Sequence, residues 1–310
     1  MTKSSRSKVL VTGGAGFIGR HLVARLVGAG TDVVVIDNMK RGSRDKLAKY
    51  VEQGRVQIVE DDIRRAEALN AAAAGCEVIY HLAAQSNVMG ASDDPTYSIT
   101  TNVVGTVNVL AAAALAGVKS VVFTSSREVY GEPPELPVGE DRPHLPKNLY
   151  GASKVAGEAY CRAFAATKGL RVDIVRLANV YGPGDSGRVI PLWLSAAQAG
   201  EDLKVFGGGQ VIDFLWVGMA VDALLRATEL GVPAPLNIGS GVGTSILDLA
   251  TRILQVTGSK SRVVRMPSRD IEVAKFIADT TRMRAFGLVP EADPLQHLAE
   301  IAPSYAPHRG

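Results

Sequence analysis

Short apolar, β-branched runs alternate with longer alanine-rich stretches along the first half of the chain. Residues 9–12, 32–36, 55–59, 78–81, 120–124 and 172–176 are nearly continuous in apolar character. Continuous rather than alternating runs predict parallel strands covered on both faces. Between them, residues 18–27, 97–115 and 149–167 carry apolar positions at helical spacing. The alanine tract 70–74 predicts a further helix. Strand–helix alternation of this kind predicts an α/β fold built on a doubly wound parallel sheet.

After residue 178 the texture changes. Gly182-Pro183-Gly184, Gly207-Gly208-Gly209 and Gly239-Ser240-Gly241 punctuate shorter elements. The expected organisation is a first domain over residues 1–178, regaining part of 214–244. Residues 179–310 then form mainly a smaller α/β lobe over the carboxyl edges of the strands, where ligands of such sheets bind.

Composition narrows the partners. The 310 residues suffice for one large or two coupled domains. Hydrophobic residues at 46% and charged residues at 21% are ordinary for a soluble protein. The net charge of +3 is spread out, and the densest basic stretch, residues 3–8, lies at the terminus. No nucleic-acid partner is expected. Cys76 and Cys161 are isolated and read as buried thiols. No apolar run reaches the roughly 18 residues of a membrane span, and the start lacks a signal-peptide core, so no membrane partner and a cytoplasmic location are expected. His21, His81, His144, His297 and His308 show no metal-ligand spacing, and no metal is expected.

The first strand runs into Thr12-Gly13-Gly14-Ala15-Gly16-Phe17-Ile18-Gly19 and then a helix. Gly13 permits the tight turn, Gly16 the approach of a pyrophosphate, and Gly19 close helix–strand packing. The helix N-terminus offers free N–H groups to phosphates. The sheet is therefore of the Rossmann type, with NAD as the expected cofactor. Asp37 ends the second strand 18 residues after Gly19, where a carboxylate accepts ribose hydroxyls and repels a 2′-phosphate. Arg41, close by, leaves NADP open. Asp62-Ile63, after the third strand, is expected to border the adenine.

Tyr150 and Lys154 are four residues apart, on one helical face. An ammonium beside a phenol favours the phenolate, which predicts a lowered Tyr150 pKa and a tyrosine able to trade protons with a carbinol.

With these residues together, the chain resembles the extended short-chain dehydrogenase/reductase family, in its nucleotide-sugar epimerase/dehydratase branch. The glycine loop, Asp37-Asn38, His81-Leu82-Ala83-Ala84-Gln85-Ser86, Asn102-Val103-Val104-Gly105-Thr106, Ser125-Ser126-Arg127-Glu128-Val129-Tyr130-Gly131, Tyr150-Gly151-Ala152-Ser153-Lys154 and Arg176-Leu177-Ala178-Asn179-Val180-Tyr181-Gly182-Pro183 carry the likeness. The resemblance implies a catalytic set of Ser126, Tyr150 and Lys154 around the nicotinamide. It adds Phe17, Ile18, Asn38, Leu82, Ala83, Ala84 and Asn102 to the cofactor-binding residues.

It also implies an NAD-dependent 4-epimerase of a UDP-hexose or UDP-hexuronate. The alternative is a decarboxylase or dehydratase that uses Glu128 after the same C4 oxidation. Dehydratases of the branch carry Asp-Glu where this chain has Arg127-Glu128, so the aspartate is missing. Ser126, Arg127, Asn179, Arg188, Val189, Val205 and Arg269 are the implied substrate contacts. Ile212 stands where the branch has an arginine before Asp213-Phe214, and Arg188 is a candidate replacement. The resemblance further implies a homodimer through the helices at 97–115 and 149–167. A silent scaffold on the same fold is the competing class, since fold alone does not settle function.

Overall fold

The computed structural model describes residues 6–231 and 235–306; the first five residues and His308 lie outside them. Six strands alternate with helices in the first part: β1 (Lys8–Thr12), β2 (Asp32–Asp37), β3 (Val56–Glu60), β4 (Val78–His81), β5 (Ser120–Ser126) and β6 (Val172–Leu177). The third begins one residue later than the apolar run suggested, and β5 runs two residues further, to Ser126. After these come β7 (Asn179–Tyr181), β8 (Leu203–Phe206), β9 (Val211–Trp216), β10 (Leu236–Ile238), β11 (Gly243–Ser245), β12 (Val263–Met266) and β13 (Lys275–Phe276).

The main sheet has seven strands in the order β10-β6-β5-β4-β1-β2-β3, and all its pairings are parallel. The order reverses at β1 and β4, where Thr12 pairs with His81 on one side and Ile36 on the other. That reversal opens a crevice beyond the carboxyl ends of the strands. The sheet is buried on both faces, which is why its strands read as unbroken apolar runs. One core packs helices Phe17–Gly28 and Val217–Leu230 onto the sheet, and the other packs Ala66–Ala73, Gly105–Ala116 and Leu149–Lys168. Cys76 and Cys161 are free, buried thiols in the second core.

Residues beyond 178 do not all leave this sheet. Helix Val217–Leu230 covers one face, and β10 adds the seventh strand beside β6. The rest forms a lobe with its own core, in which helices Val189–Ala199 and Ile246–Thr257 pack around β8 and β9. In that lobe β9 pairs with β7, β11 and β13, while β8 pairs with β12.

The helix expected at 97–115 spans Pro95–Ala116, with one π-helical turn at Thr100–Val104. Asp94 caps its start, accepting the Tyr97 N–H at 2.9 Å, and Gly117 ends it in the left-handed region at φ +66°. By length and composition alone this helix could cross a bilayer, with a mean hydropathy of 1.6. A core helix passes the same test, and this one buries Val109, Leu110, Ala112 and Ala113 beneath the sheet.

Candidate active site

At the end of β1, Gly13 turns the chain at φ +71°, and its N–H donates to the Ile36 carbonyl at 2.8 Å. A Cβ there would lie 2.8 Å from the Ala83 backbone, so β1 and the segment after β4 meet only because residue 13 is glycine. Helix Phe17–Gly28 starts at Gly16, which has no side chain to cap it, leaving the first-turn amides of Phe17, Ile18 and Gly19 directed at the crevice.

Leu82, Ala83 and Ala84 line the opposite wall. They are placed by a buried chain of hydrogen bonds. The Ala83 N–H donates to the Thr12 hydroxyl, which lies 2.7 Å from His81 Nδ1; His81 Nε2 lies 2.9 Å from the Thr106 hydroxyl. Thr106 in turn donates to the Asn102 carbonyl. This order of donors assigns the His81 proton to Nε2. Burial holds the ring neutral, with a pKa pushed down to about 3.

Asp37 closes the ribose corner. Its carboxylate accepts N–H bonds from Ala15 at 3.0 Å and Met39 at 2.9 Å. Burial nevertheless raises its pKa, against the pull of those bonds.

Two residues expected at the cofactor do other work. Asn102 is spent on the protein: it accepts the Gln85 N–H at 2.7 Å and donates to the Gln85 carbonyl and the Ser153 hydroxyl. It positions the loop after β4 and does not line the cleft. Asp62 turns to Arg64 and Asn38. Those bonds outweigh burial and hold its carboxyl down at about 2. Asp61 and Ile63 line the cleft in its place, with Asn38 across from them.

Ser126, Tyr150 and Lys154 converge on the same cleft. Ser126 ends β5 and accepts the Glu128 N–H at 3.2 Å. Tyr150 and Lys154 share one face of helix Leu149–Lys168, as their spacing requires.

The electrostatics differ from the sequence expectation. Lys154 donates to the Thr124 carbonyl at 2.8 Å, and its ammonium lies 5.9 Å from the Tyr150 ring centre. Burial pushes the Lys154 pKa down to about 8. Tyr150 is half-buried, and burial pushes its phenol up to about 12. A hydrogen bond with Ser126 and the charges of Arg188 and Arg127 pull it down, while Glu128 pushes it up. Desolvation outweighs the cation–phenol effect that the spacing alone suggested.

Glu128 is buried in the cleft wall, and both its oxygens are engaged. Arg127 holds one at 2.8 Å, and the Asn148 amide donates to the other at 2.7 Å. Asn148 also caps helix Leu149–Lys168 by accepting the Gly151 N–H at 2.8 Å. Its role was legible as an N-cap directly before an apolar helical run.

At the far end of the cleft, Asn179 presents a buried Nδ2 with no hydrogen-bond partner among the described residues. Arg188 is paired with Asp185 at 2.7 Å and leads into Val189 at the start of its helix. Val205, expected at the nucleobase, is fully buried in the lobe's core. Strand alternation turns its neighbours Lys204 and Phe206 to the cleft. Arg269 stacks 3.7 Å above the Phe206 ring and pairs with Glu272 at 3.4 Å. Ile212 lines this end with no charge to offer.

The cleft measures about 740 Å³, and its basic side chains outnumber its acidic ones. An excess of cations over glycine-lined backbone fits a ligand pair carrying several phosphates. The glycine cradle that a Cβ would fill, the uncapped helix start and the Asp37 carboxylate fit a dinucleotide with a free ribose diol. Among the described residues, no three His, Cys, Asp or Glu side chains are grouped to hold a metal.

A dinucleotide cradle opening onto a serine, a tyrosine and a lysine defines a nicotinamide-dependent enzyme that oxidises or reduces at a carbinol carbon. Residues 9–239 match the NAD dependent epimerase/dehydratase family, and the chain belongs to it. The chain is 40% identical over 289 residues to a UDP-glucose 4-epimerase of Mycolicibacterium smegmatis, covering 89% of this chain and 91% of that protein. It is 35% identical over 304 residues to a UDP-N-acetyl-alpha-D-glucosaminuronate decarboxylase of Bacillus cytotoxicus, covering 90% and 91%. Its structure superimposes on that of the Thermotoga maritima UDP-glucose 4-epimerase with UDP-glucose at a TM-score of 0.91 and 31% identity, covering 96% of this chain and 98% of that one. Relatives of comparable similarity thus include both an epimerase and a decarboxylase.

Proposed function

We propose that the protein is an NAD-dependent nucleotide-sugar 4-epimerase, acting on a UDP-hexose or UDP-hexuronate by transient oxidation at C4. The observation that carries this reading over its competitors is the engagement of Glu128. With Arg127 on one oxygen and Asn148 on the other, its carboxylate is positioned as part of the wall rather than left to move protons at C5 or C6. An epimerase needs no acid or base beyond the Ser126, Tyr150 and Lys154 set.

Gly13, Gly16, Phe17, Ile18, Gly19 and Asp37 hold the dinucleotide, and the chemistry NAD supplies when bound is reversible hydride acceptance. Tyr150 takes the proton of the C4 hydroxyl as that carbon is oxidised and returns it after the ketone has turned. Ser126 donates a hydrogen bond to the reacting oxygen, a preorganised dipole where charge develops. The phenol must come down from about 12 to accept a proton, and Ser126, Arg188 and Arg127 are the groups that favour its ionised form. Lys154 supplies a fixed ammonium at the same turn of helix. Asn179, Arg188, Lys204 and Arg269 are the candidate contacts to the nucleotide diphosphate.

The second reading, a decarboxylase or dehydratase, draws support from Glu128 facing the cleft and from the decarboxylase relative. One experiment separates the two. The protein is incubated in D₂O with UDP-glucose, UDP-N-acetylglucosamine or UDP-glucuronate, without added NAD, and the products are read by NMR. A C4 epimer free of solvent deuterium supports the epimerase. Deuterium at C5, a 4-keto-6-deoxy sugar or released CO₂ overturns it.

The same reading includes a homodimer in the cytoplasm. Ile99, Val104 and Leu115 on helix Pro95–Ala116, and Leu149 and Tyr160 on helix Leu149–Lys168, are 43–75% accessible. Two adjacent helices with apolar side chains facing outward suit a four-helix contact with a second copy. A stable monomer in sedimentation at micromolar concentration would remove the dimer. The two free thiols suit a reducing compartment, which cell fractionation tests.

A further inference from the structure

Three loops meet around the cofactor end of the cleft, and one side chain ties them together. Arg41 follows β2, Ser86 follows β4, and Ser186 lies in the segment between β7 and helix Val189–Ala199. Arg41 Nη1 donates to the Ser86 hydroxyl at 2.7 Å, and Nη2 reaches the Ser186 carbonyl at 3.5 Å. All three residues line the cleft.

The segment around Ser186 is anchored firmly at its other end. Arg20 donates to the Pro183 carbonyl, and His21 Nε2 lies 3.0 Å from the same oxygen. The Tyr305 hydroxyl donates to the Gly182 carbonyl at 2.8 Å. Beyond that anchor, Asp185 is buried, with one oxygen held by Arg188 and the Ser186 N–H. Its other oxygen has no hydrogen-bond partner among the described residues. Arg41 and Arg188 both favour the charge on this carboxylate, and their like charges repel one another. Two guanidiniums about one carboxylate leave a positive balance on the cleft lining, a charge that suits phosphates.

The same geometry argues against Arg41 as a reader of a 2′-phosphate. At the ribose corner it is the backbone of Gly42 that meets the Asp37 carboxylate, so closely that a Cβ would lie 2.9 Å from Oδ1. The Arg41 fork is committed elsewhere, to Ser86 and Ser186.

We propose that Arg41 is a clasp: bonded to Ser86 and reaching Ser186, it closes the cofactor end of the cleft over the bound dinucleotide and slows its release. The inference rests on the epimerase reading in one respect, namely that an enzyme which oxidises and reduces the same sugar regenerates its cofactor each turnover and has no use for exchange.

The test measures release and not turnover. The full-length protein is loaded with isotopically labelled NAD, chased with unlabelled NAD in the absence of sugar, and the bound label is followed by rapid filtration. Arg41→Ala and Ser86→Ala are each expected to speed release about tenfold, the effect of losing one charge-assisted hydrogen bond. The double variant is expected to be no faster than Arg41→Ala, because both changes open one contact. Faster release from Arg41→Ala with wild-type release from Ser86→Ala overturns the clasp in favour of a direct charge contact. Unchanged release in both variants overturns it outright, and so does a selective loss of NADP affinity in Arg41→Ala. If the clasp behaves as expected while no UDP-sugar is epimerised in the separate NMR assay, only the proposed function fails.

Discussion

The Arg127 guanidinium lies 2.8 Å from one carboxylate oxygen of Glu128, and this ion pair is buried in the wall of the cleft beside Tyr150. A buried pair of this kind is costly to break on one side, because the survivor is left without its counter-charge. Glu128→Gln keeps the shape but not the charge, and its single amide oxygen can accept from only one of Arg127 and Asn148, so it is expected to cost stability. Its kcat for C4 epimerisation is expected to fall less than about tenfold, whereas a general acid or base would cost about 10²–10⁴. Steady-state assays with the substrate identified by NMR decide between the two.

Tyr150→Phe removes the hydroxyl proposed to exchange a proton with the C4 oxygen. A fall in kcat of about 10²–10⁴ is expected, with an unchanged circular dichroism spectrum and unchanged NAD content. A variant that turns over like the wild type would return the protein to the class of silent scaffolds.

Lys154 gives a stability signature. Burial holds its pKa at about 8 in the folded protein, against 10.5 for a lysine in water. Between those values the unfolded chain binds more protons, so stability rises with pH through that window. The shift corresponds to about 3 kcal/mol. Urea unfolding of Lys154→Met at pH 7.5, 9 and 10 is expected to lose this rise and to match or exceed the wild type at pH 7.5.

Asn148 does two jobs with one amide, capping helix Leu149–Lys168 and holding Glu128. Asn148→Ala is expected to cost about 2 kcal/mol in chemical unfolding, from the lost cap and the unpaired carboxylate. Asn148→Asp keeps the cap but sets two carboxylates together, and is expected to restore little.

His297 stacks on Trp216 at 4.0 Å and lies 2.9 Å from both Glu291 and Glu300. Burial opposes its charge, but the two carboxylates outweigh it and raise its pKa. The contribution is therefore full below the unfolded value near 6.5 and is lost as pH rises through the folded value. His297→Gln is expected to cost about 1 kcal/mol at pH 6 and almost nothing at pH 9, read from thermal unfolding at both.

Much of the sheet was legible because parallel strands buried on both faces leave an unmistakable apolar run, and the glycine loop because only glycine tolerates the Gly13 turn against Ala83. β10 was harder. Its three residues, Leu236–Ile238, are too few to make a periodic signal. Val205 was misplaced through its motif, although strand alternation from the charged Lys204 pointed the other way. Asn102 and Asp62 lie in the right segments, but which atom a buried amide or carboxylate bonds is a tertiary fact. The direction of the Tyr150 shift is hidden from the sequence for a related reason: spacing places a charge near a phenol, but only the packed structure says how much water both have lost.

β10 and helix Val217–Leu230 reach the main sheet only after the chain has built β7, β8 and β9. A fragment ending at residue 178 would expose β6 as an open edge and strip the cover from one face of the sheet. The dinucleotide-binding sheet therefore cannot complete itself during synthesis until the chain has passed through β7, β8 and β9 of the lobe and reached Ile238, and sheet and lobe are expected to melt in a single cooperative transition.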